Sequence, residues 1–95
     1  MKPRITISLR PDGELEIFVN PEGRDLLVEA LQSLNEGNEH FHIGPEGSYF
    51  EVEVSSRPYR PDDKIVGYAK VNFRTDEWDR QHCPHVFGSG SQDSN

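Results

Sequence analysis

The sequence has a single cysteine, no long apolar run and no apolar segment behind its N-terminus. One cysteine cannot form an internal disulfide, which favours an intracellular protein over a secreted, disulfide-bonded scaffold. An N-terminus without an apolar segment does not read as a signal peptide, and no run approaches the ~20 residues of a transmembrane helix. We therefore expect a cytoplasmic protein that does not bind membranes.

Basic residues are also scarce. Ten Lys and Arg stand against 17 Asp and Glu, which gives a formal net charge of −7. Nucleic-acid binding depends on Lys and Arg that neutralise phosphates, so this balance argues against a nucleic-acid partner. An acidic surface is steered instead toward basic proteins or cations. The alternative is that the charge only keeps the protein soluble.

Catalytic motifs with a known spacing are missing too. The sequence has no Gly-rich phosphate loop, nucleophile elbow or catalytic dyad. Glu51 and Glu53 form a carboxylate pair, but two residues apart on a strand they read more simply as a solvated face. We therefore expect a protein that is not an enzyme.

Apolar residues recur at two periods along the chain. Alternation at period two predicts strands near residues 5–9, 15–19, 40–43, 50–54 and 65–73. A single stripe at helical spacing predicts one long helix over residues 21–36. The residues of this stripe are Leu26, Leu27, Ala30, Leu31 and Leu34. Asn20 is placed as its N-cap and Gly37 as its C-cap glycine.

These elements predict an α+β domain over residues 1–75 with the order ββαβββ. Short connections favour one mostly antiparallel sheet, with the helix packed on one face through Leu27 and Leu31 as core residues. Thr75 to Gln81 is expected to form a short helical turn within a C-terminal segment, residues 76–88, that could pack on the sheet. Residues 89–95 are rich in Gly, Ser, Asp and Asn and predict a disordered tail.

The sheet face opposite the helix is the candidate binding surface. Strand alternation places polar and aromatic side chains on that open face. The residues that could contact a partner there are Phe18, His40, His42, Glu51, Glu53 and Tyr68. Aromatic residues among acidic ones suit the capture of a basic protein, with the aromatics as anchors and the carboxylates steering the encounter.

All the histidines and the cysteine fall in two short clusters. His40 and His42 share a strand face, and Cys83 and His85 flank a proline near the C-terminus. Imidazole and thiolate are good zinc ligands, so a C-terminal segment folded over the sheet could close a structural four-ligand zinc site. The spacings match no established zinc motif, however, and histidine is ordinary on a solvated strand face.

Part of the chain resembles a known group. The segments EGRDLL (22–27), LQSL (31–34) and EHFHI (39–43) are similar to small bacterial proteins in which a leucine-rich helix precedes a His-x-His strand. The match covers residues 14–54 and resembles the immunity-protein families of polymorphic toxin systems, in particular the family numbered 32. This resemblance implies a protein that binds and blocks a cognate toxin. The alternatives are a small zinc-stabilised domain and a homodimer of unknown ligand paired through the open sheet face.

Overall fold

The computed structural model describes residues 2–88, so the tail expected at 89–95 lies outside the described residues. Within them the protein has an α+β fold with two small sheets and two α-helices. The elements are β1 (Ile5–Leu9), β2 (Leu15–Val19), α1 (Pro21–Gln32), β3 (His40–Pro45), β4 (Val52–Val54), β5 (Lys64–Ile65), β6 (Ala69–Asn72), α2 (Asp76–His82) and a 3-10 helix (Pro84–Phe87).

No helix within the described range combines the length and the apolar character needed to cross a membrane.

The first sheet has the strand order β2-β1-β5 and is antiparallel. The strands predicted at residues 5–9 and 15–19 are confirmed and pair as a hairpin: Ile7 lies opposite Ile17 in its middle, and Gly13 in the turn has a φ of 96° that a residue with a side chain rarely adopts. Alternation then directs Ile5 and Ile7 into the core.

Helix α1 begins as predicted and ends earlier. The Asn20 side chain accepts a hydrogen bond from the backbone N–H of Gly23 at 2.7 Å, as an N-cap should. The helix ends at Gln32 because the chain after it turns back on itself, with the backbone N–H of Asn35 donating to the carbonyl of Asn38 at 3.1 Å. The glycine expected to cap the helix lies inside this turn.

The second sheet has the order β4-β3-β6 and corrects the expectation of one mostly antiparallel sheet. β3 pairs with β6 antiparallel but with β4 parallel, Ile43 lying opposite Val52. Two residues in the link between β3 and β4 have a left-handed backbone conformation: Gly47 with a φ of 87° and Tyr49 with a φ of 63°. These turns carry the chain back so that it runs in the same direction as β3, which a short hairpin cannot do.

The last alternating run is divided between the sheets. It was expected as one strand over residues 65–73, but β5 belongs to the first sheet and β6 to the second. Residues 66–68 leave the ladder between them, after the backbone N–H of Val66 donates to the carbonyl of Ile7 at 2.8 Å. The backbone N–H of Ser55, just past β4, donates to the carbonyl of Ile5 at 2.8 Å and links the two sheets.

The core lies between α1 and both sheets. Its buried apolar residues are Ile5, Ile7, Phe41, Ile43, Val52 and Val54. Leu26, Leu27, Ala30 and Leu34 of the predicted helical stripe pack against them. Leu31 does not: its side chain is 51% exposed, so its assignment as a core residue is wrong. The packed side of the helix therefore consists of Leu26, Leu27, Ala30 and Leu34, and Leu31 lies at its exposed margin.

The far side of the first sheet is covered, where the sequence predicted an open face. Thr6 and Ser8 are buried there, although they alternate with the core residues of β1. The loop of residues 56–63 lies over them. Within it, the ring of Tyr59 stacks on Phe18 with centroids 4.0 Å apart, and Asp63 is buried. The polar face of β1 is therefore an internal surface.

Candidate functional site

Five of the six predicted surface residues lie on or beside the second sheet. His40 and His42 project from β3, and Glu53 lies on β4. Ring contacts connect the histidines with Tyr68, and a hydrogen bond connects His42 with Glu51. Phe18 does not join them, because it lies in the first sheet under the ring of Tyr59. One contiguous surface containing all six is therefore not formed.

A chain of ring contacts defines the candidate site. The rings of His40 and His42 meet edge to face with centroids 4.9 Å apart. His42 continues to Phe50 at 5.5 Å, and Phe50 to Tyr68 at 6.3 Å. These spacings are within the range of favourable aromatic contacts. We call these four residues the His-aromatic face.

Backbone geometry at one glycine fixes the position of Phe50. A Cβ atom at Gly44 would collide with the Phe50 ring and lie 2.7 Å from the hydroxyl oxygen of Ser48. The absence of a side chain at Gly44 therefore lets the ring lie directly against β3. This close approach places the Phe50 ring next to that of His42 while 38% of the residue stays exposed.

Replacing Gly44 by alanine is expected to push the Phe50 ring off β3 and to destabilise the fold by about 1–3 kcal/mol, the usual range for overpacking. Urea denaturation measures the loss. Gly67→Ala is the matched control, because a Cβ atom there has no neighbour within 4 Å. Equal melts for the two variants would show that the packing at Gly44 is not tight.

Glu51 is held by the backbone of the strand beside it. Its carboxylate accepts a hydrogen bond from the backbone N–H of His42 at 2.9 Å, and this bond is the main reason that the pKa of Glu51 lies below its ordinary value. The Nδ1 atom of His42 is 3.9 Å from the same carboxylate oxygen. A negative charge is thereby fixed at the edge of the His-aromatic face.

Glu53 stabilises the link between β3 and β4. Its carboxylate accepts from the backbone N–H of Gly47 at 3.2 Å and from that of Tyr49 at 2.8 Å. These are the two left-handed residues of the link, so the carboxylate stabilises the turn that makes β4 parallel to β3. Glu53 thus lines the site and also shapes it.

An acidic cavity of about 450 Å³ opens beside the His-aromatic face. It is lined by Lys2, Pro3, Leu26, Glu46, Gly47, Phe50, Glu51 and Glu53. Phe50 belongs to both the face and the cavity and so joins them. Three carboxylates against one ammonium group leave a net negative lining. We call this space the acidic cavity.

The four proposed zinc ligands are not brought together. Across residues 2–88, no group of three or more His, Cys, Asp or Glu side chains is arranged to hold a metal ion. His40 and His42 are neighbours, but Cys83, at the C-terminal end of α2, and His85, in the 3-10 helix, do not complete a site with them. Zinc binding therefore stays a prediction of the sequence alone.

The sequence pattern did not identify Phe50, Glu46 or Lys2 as site residues. Regular alternation over the predicted strand at residues 50–54 would put Phe50 on the same face as the core residue Val52, but β4 begins only at Val52 and the left-handed Tyr49 directs the ring outward. The signal was local: a glycine-rich link is where regular alternation fails. Lys2 and Glu46 meet only through the fold, at 3.6 Å.

Comparisons of the chain with protein-family models, with curated proteins and with solved structures found no match. The resemblance of residues 14–54 to immunity proteins is neither supported nor opposed by them and stays a prediction. Function has to be inferred from the geometry of the site.

Proposed function

We propose that this protein acts by binding another, basic protein through the His-aromatic face and the acidic cavity beside it. The observation that carries this proposal is the junction at Phe50, where exposed rings border a cavity lined by carboxylates. A surface of this kind offers an apolar anchor and a charged receptor side by side.

The aromatic residues are the anchors in this proposal. Tyr68 is 71% exposed and Tyr49, next to the cavity, is 93% exposed, so both rings have large areas to bury against a partner. Tyrosine is enriched among the residues that dominate binding energy, because it buries a large rigid ring and keeps a polar tip. Phe50 supports Tyr68 from below with its edge-to-face contact.

The acidic cavity supplies the charge complementarity. Glu51 and Glu53 are already bonded to backbone N–H groups, whereas Glu46 makes only an exposed ion pair with Lys2 at 3.6 Å. Such a pair contributes little to stability and is readily exchanged. An Arg or Lys side chain of a partner can therefore enter and replace Lys2 beside Glu46.

The resemblance to immunity proteins suits the same site. A toxin that acts on nucleic acid is basic, and an acidic partner of net charge −7 would be attracted to it over a distance. We propose that the bound partner is such a toxin and that the bound protein blocks its active site. The gene beside this one is the candidate source of that partner.

The test is to measure binding of the neighbouring gene's product to the wild type and to the double variant Glu46→Lys/Tyr68→Ala. Affinity is expected to fall on the order of tenfold or more, since one anchor and one charge are lost together. Both side chains are chosen because they are exposed and, unlike those of Glu51 and Glu53, accept no hydrogen bond from a backbone N–H group.

Glu36→Lys is the control with a matched change of charge. Glu36 precedes β3, while Glu46 follows its other end, so the control changes the net charge equally but away from the site. The double variant should bind more weakly than the wild type. Added salt should weaken the binding of the wild type more steeply than the binding of the double variant. Equal affinities of the wild type and the double variant would refute the proposed surface.

A further inference from the structure

Strand β2 presents a free edge. Among the described residues it pairs with β1 alone. The backbone N–H of Arg10 donates to Glu14 at 2.8 Å and that of Asn20 donates to Arg4 at 3.1 Å. In an antiparallel pair such exchanges recur at every second residue, so the backbone groups of Leu15, Ile17 and Val19 point away from β1.

The same three residues carry an exposed apolar stripe. Leu15, Ile17 and Val19 are between 43 and 55% exposed. Their cross-strand partners include Ile5 and Ile7 of the core, so the stripe lies on the face of the sheet that α1 covers. Helix α1 does not cover these three side chains completely, and each keeps more than two-fifths of its surface exposed.

Helix α1 adds apolar surface next to this stripe. Val28 and Leu31 are 45 and 51% exposed. Leu26 and Ala30 line a cavity with His40, which places their flank of the helix toward the second sheet. Leu31 lies on the opposite flank by helical spacing, toward the first sheet. A free backbone edge, an apolar strand and an apolar helix flank therefore adjoin.

We propose that β2 pairs with β2 of a second copy of this chain, antiparallel about a two-fold axis at Ile17. Ile17 would then pair with Ile17 of the partner subunit, and Leu15 with the partner's Val19. The outward backbone groups of all three residues would be satisfied, because the residues that point to the free edge in one copy meet those of the other.

Charge favours this register over those centred nearer the start of β2. With the axis at Ile17, Glu16 lies opposite the partner's Phe18 and Glu14 opposite the partner's Asn20, so no acidic residue faces another. Moving the axis so that Leu15 meets its own copy would set Glu14 against the partner's Glu16. Placing the axis between them at Glu16 would set that residue against itself. Like charges directly opposite are destabilising in a sheet.

The pairing also covers the apolar stripe. A two-fold axis perpendicular to the sheet keeps both α1 helices on one face of a continuous six-stranded sheet, β5-β1-β2 followed by its copy. The stripes of both β2 strands then form one apolar floor between the two helices, next to the flanks that carry Leu31. An exposed apolar edge strand invites such pairing.

Cysteine cross-linking tests the register directly. In a Cys83→Ser background, Ile17→Cys places two thiols on the axis, with Cα atoms about 5.5 Å apart, a distance that a disulfide spans. Leu15→Cys is the control: it is four residues out of register with its own copy, and the Cα atoms are about 13 Å apart or more. Mild oxidation should give a cross-linked dimer for Ile17→Cys and not for Leu15→Cys. Equal cross-linking at both positions would overturn the register.

Sedimentation equilibrium of the wild-type chain tests the dimer itself. Ile17→Lys puts a charge at the axis and should weaken association on the order of tenfold or more. Val86→Lys changes a similarly exposed apolar residue outside β2 and should leave the association unchanged.

Added salt should strengthen the dimer, because it screens the repulsion between two copies of charge −7. A wild-type chain that remains monomeric at all concentrations would overturn the proposal; circular dichroism confirms that the variants fold.

Discussion

Replacing Phe41 by alanine is expected to destabilise the fold by about 3–5 kcal/mol, the usual cost of removing a buried phenylalanine. Phe41 is 3% exposed and lies on β3, the central strand of the second sheet. Its side chain belongs to the core on which α1 packs, so its removal leaves a cavity where the helix meets the sheet. Urea denaturation at neutral pH measures the loss.

Leu31→Ala is the control for this prediction. Leu31 belongs to the same apolar stripe of α1 that predicted the core, but it is 51% exposed. Its replacement should cost about 1 kcal/mol or less, as for a surface position. A loss at Phe41 no larger than the loss at Leu31 would show that the core is not centred on β3.

Local patterns predicted the local elements well. The hairpin of β1 and β2 and the start of α1 follow from alternation, a glycine turn and an Asn-Pro start, all of which act within a few residues. The short helix at Asp76–His82 follows in the same way from its cap, since the Thr75 hydroxyl accepts from the backbone N–H of Trp78 at 3.0 Å. Interactions between residues this close in the chain can be predicted from the sequence.

Strand pairing was less predictable, because it depends on a few residues that change the direction of the chain. Tyr49 adopts a left-handed φ of 63°, which a residue with a bulky side chain rarely does, and the Glu53 carboxylate stabilises that turn from outside it. Alternation across residues 65–73 is continuous and gave no sign that the run divides between two sheets.

The candidate site was predictable only where it depends on alternation within one strand. Alternation alone places His40 and His42 on one face of β3, and the structure confirms that they are neighbours. Phe18 was assigned to the same surface on the assumption of one sheet, and the division into two sheets separates it from the histidines. Its partner Tyr59 comes from a loop with no periodic pattern at all.

Replacing Asp63 by asparagine is expected to release the loop of residues 56–63 from the first sheet. The Asp63 side chain is fully buried and accepts hydrogen bonds from the guanidinium groups of Arg10 and Arg60. Arg60 also bonds Glu16, so the network ties the loop to both β1 and β2. Without the buried charge, chymotrypsin should cleave after Tyr59 on the order of tenfold faster or more, because the cleavage rate follows the population of the open loop.

The pH dependence of unfolding identifies the charge as the cause. Burial raises the pKa of Asp63, but the hydrogen bonds from Arg60 and Arg10 outweigh it, and the pKa lies below its ordinary value. A carboxylate with a lowered folded pKa stabilises the fold fully above the unfolded value of about 3.9, and this stabilisation is lost as the pH falls through the folded pKa. The free energies of unfolding of the wild type and of Asp63→Asn, measured by urea denaturation, should therefore differ at pH 7 and converge as the pH falls below about 4.

Asp62→Asn is the matched control, since the neighbouring carboxylate also bonds Arg10 at 2.9 Å but is 60% exposed. A difference between wild type and Asp63→Asn that stays constant from pH 7 to pH 3 would mean that the asparagine acts through packing and not through the lost charge.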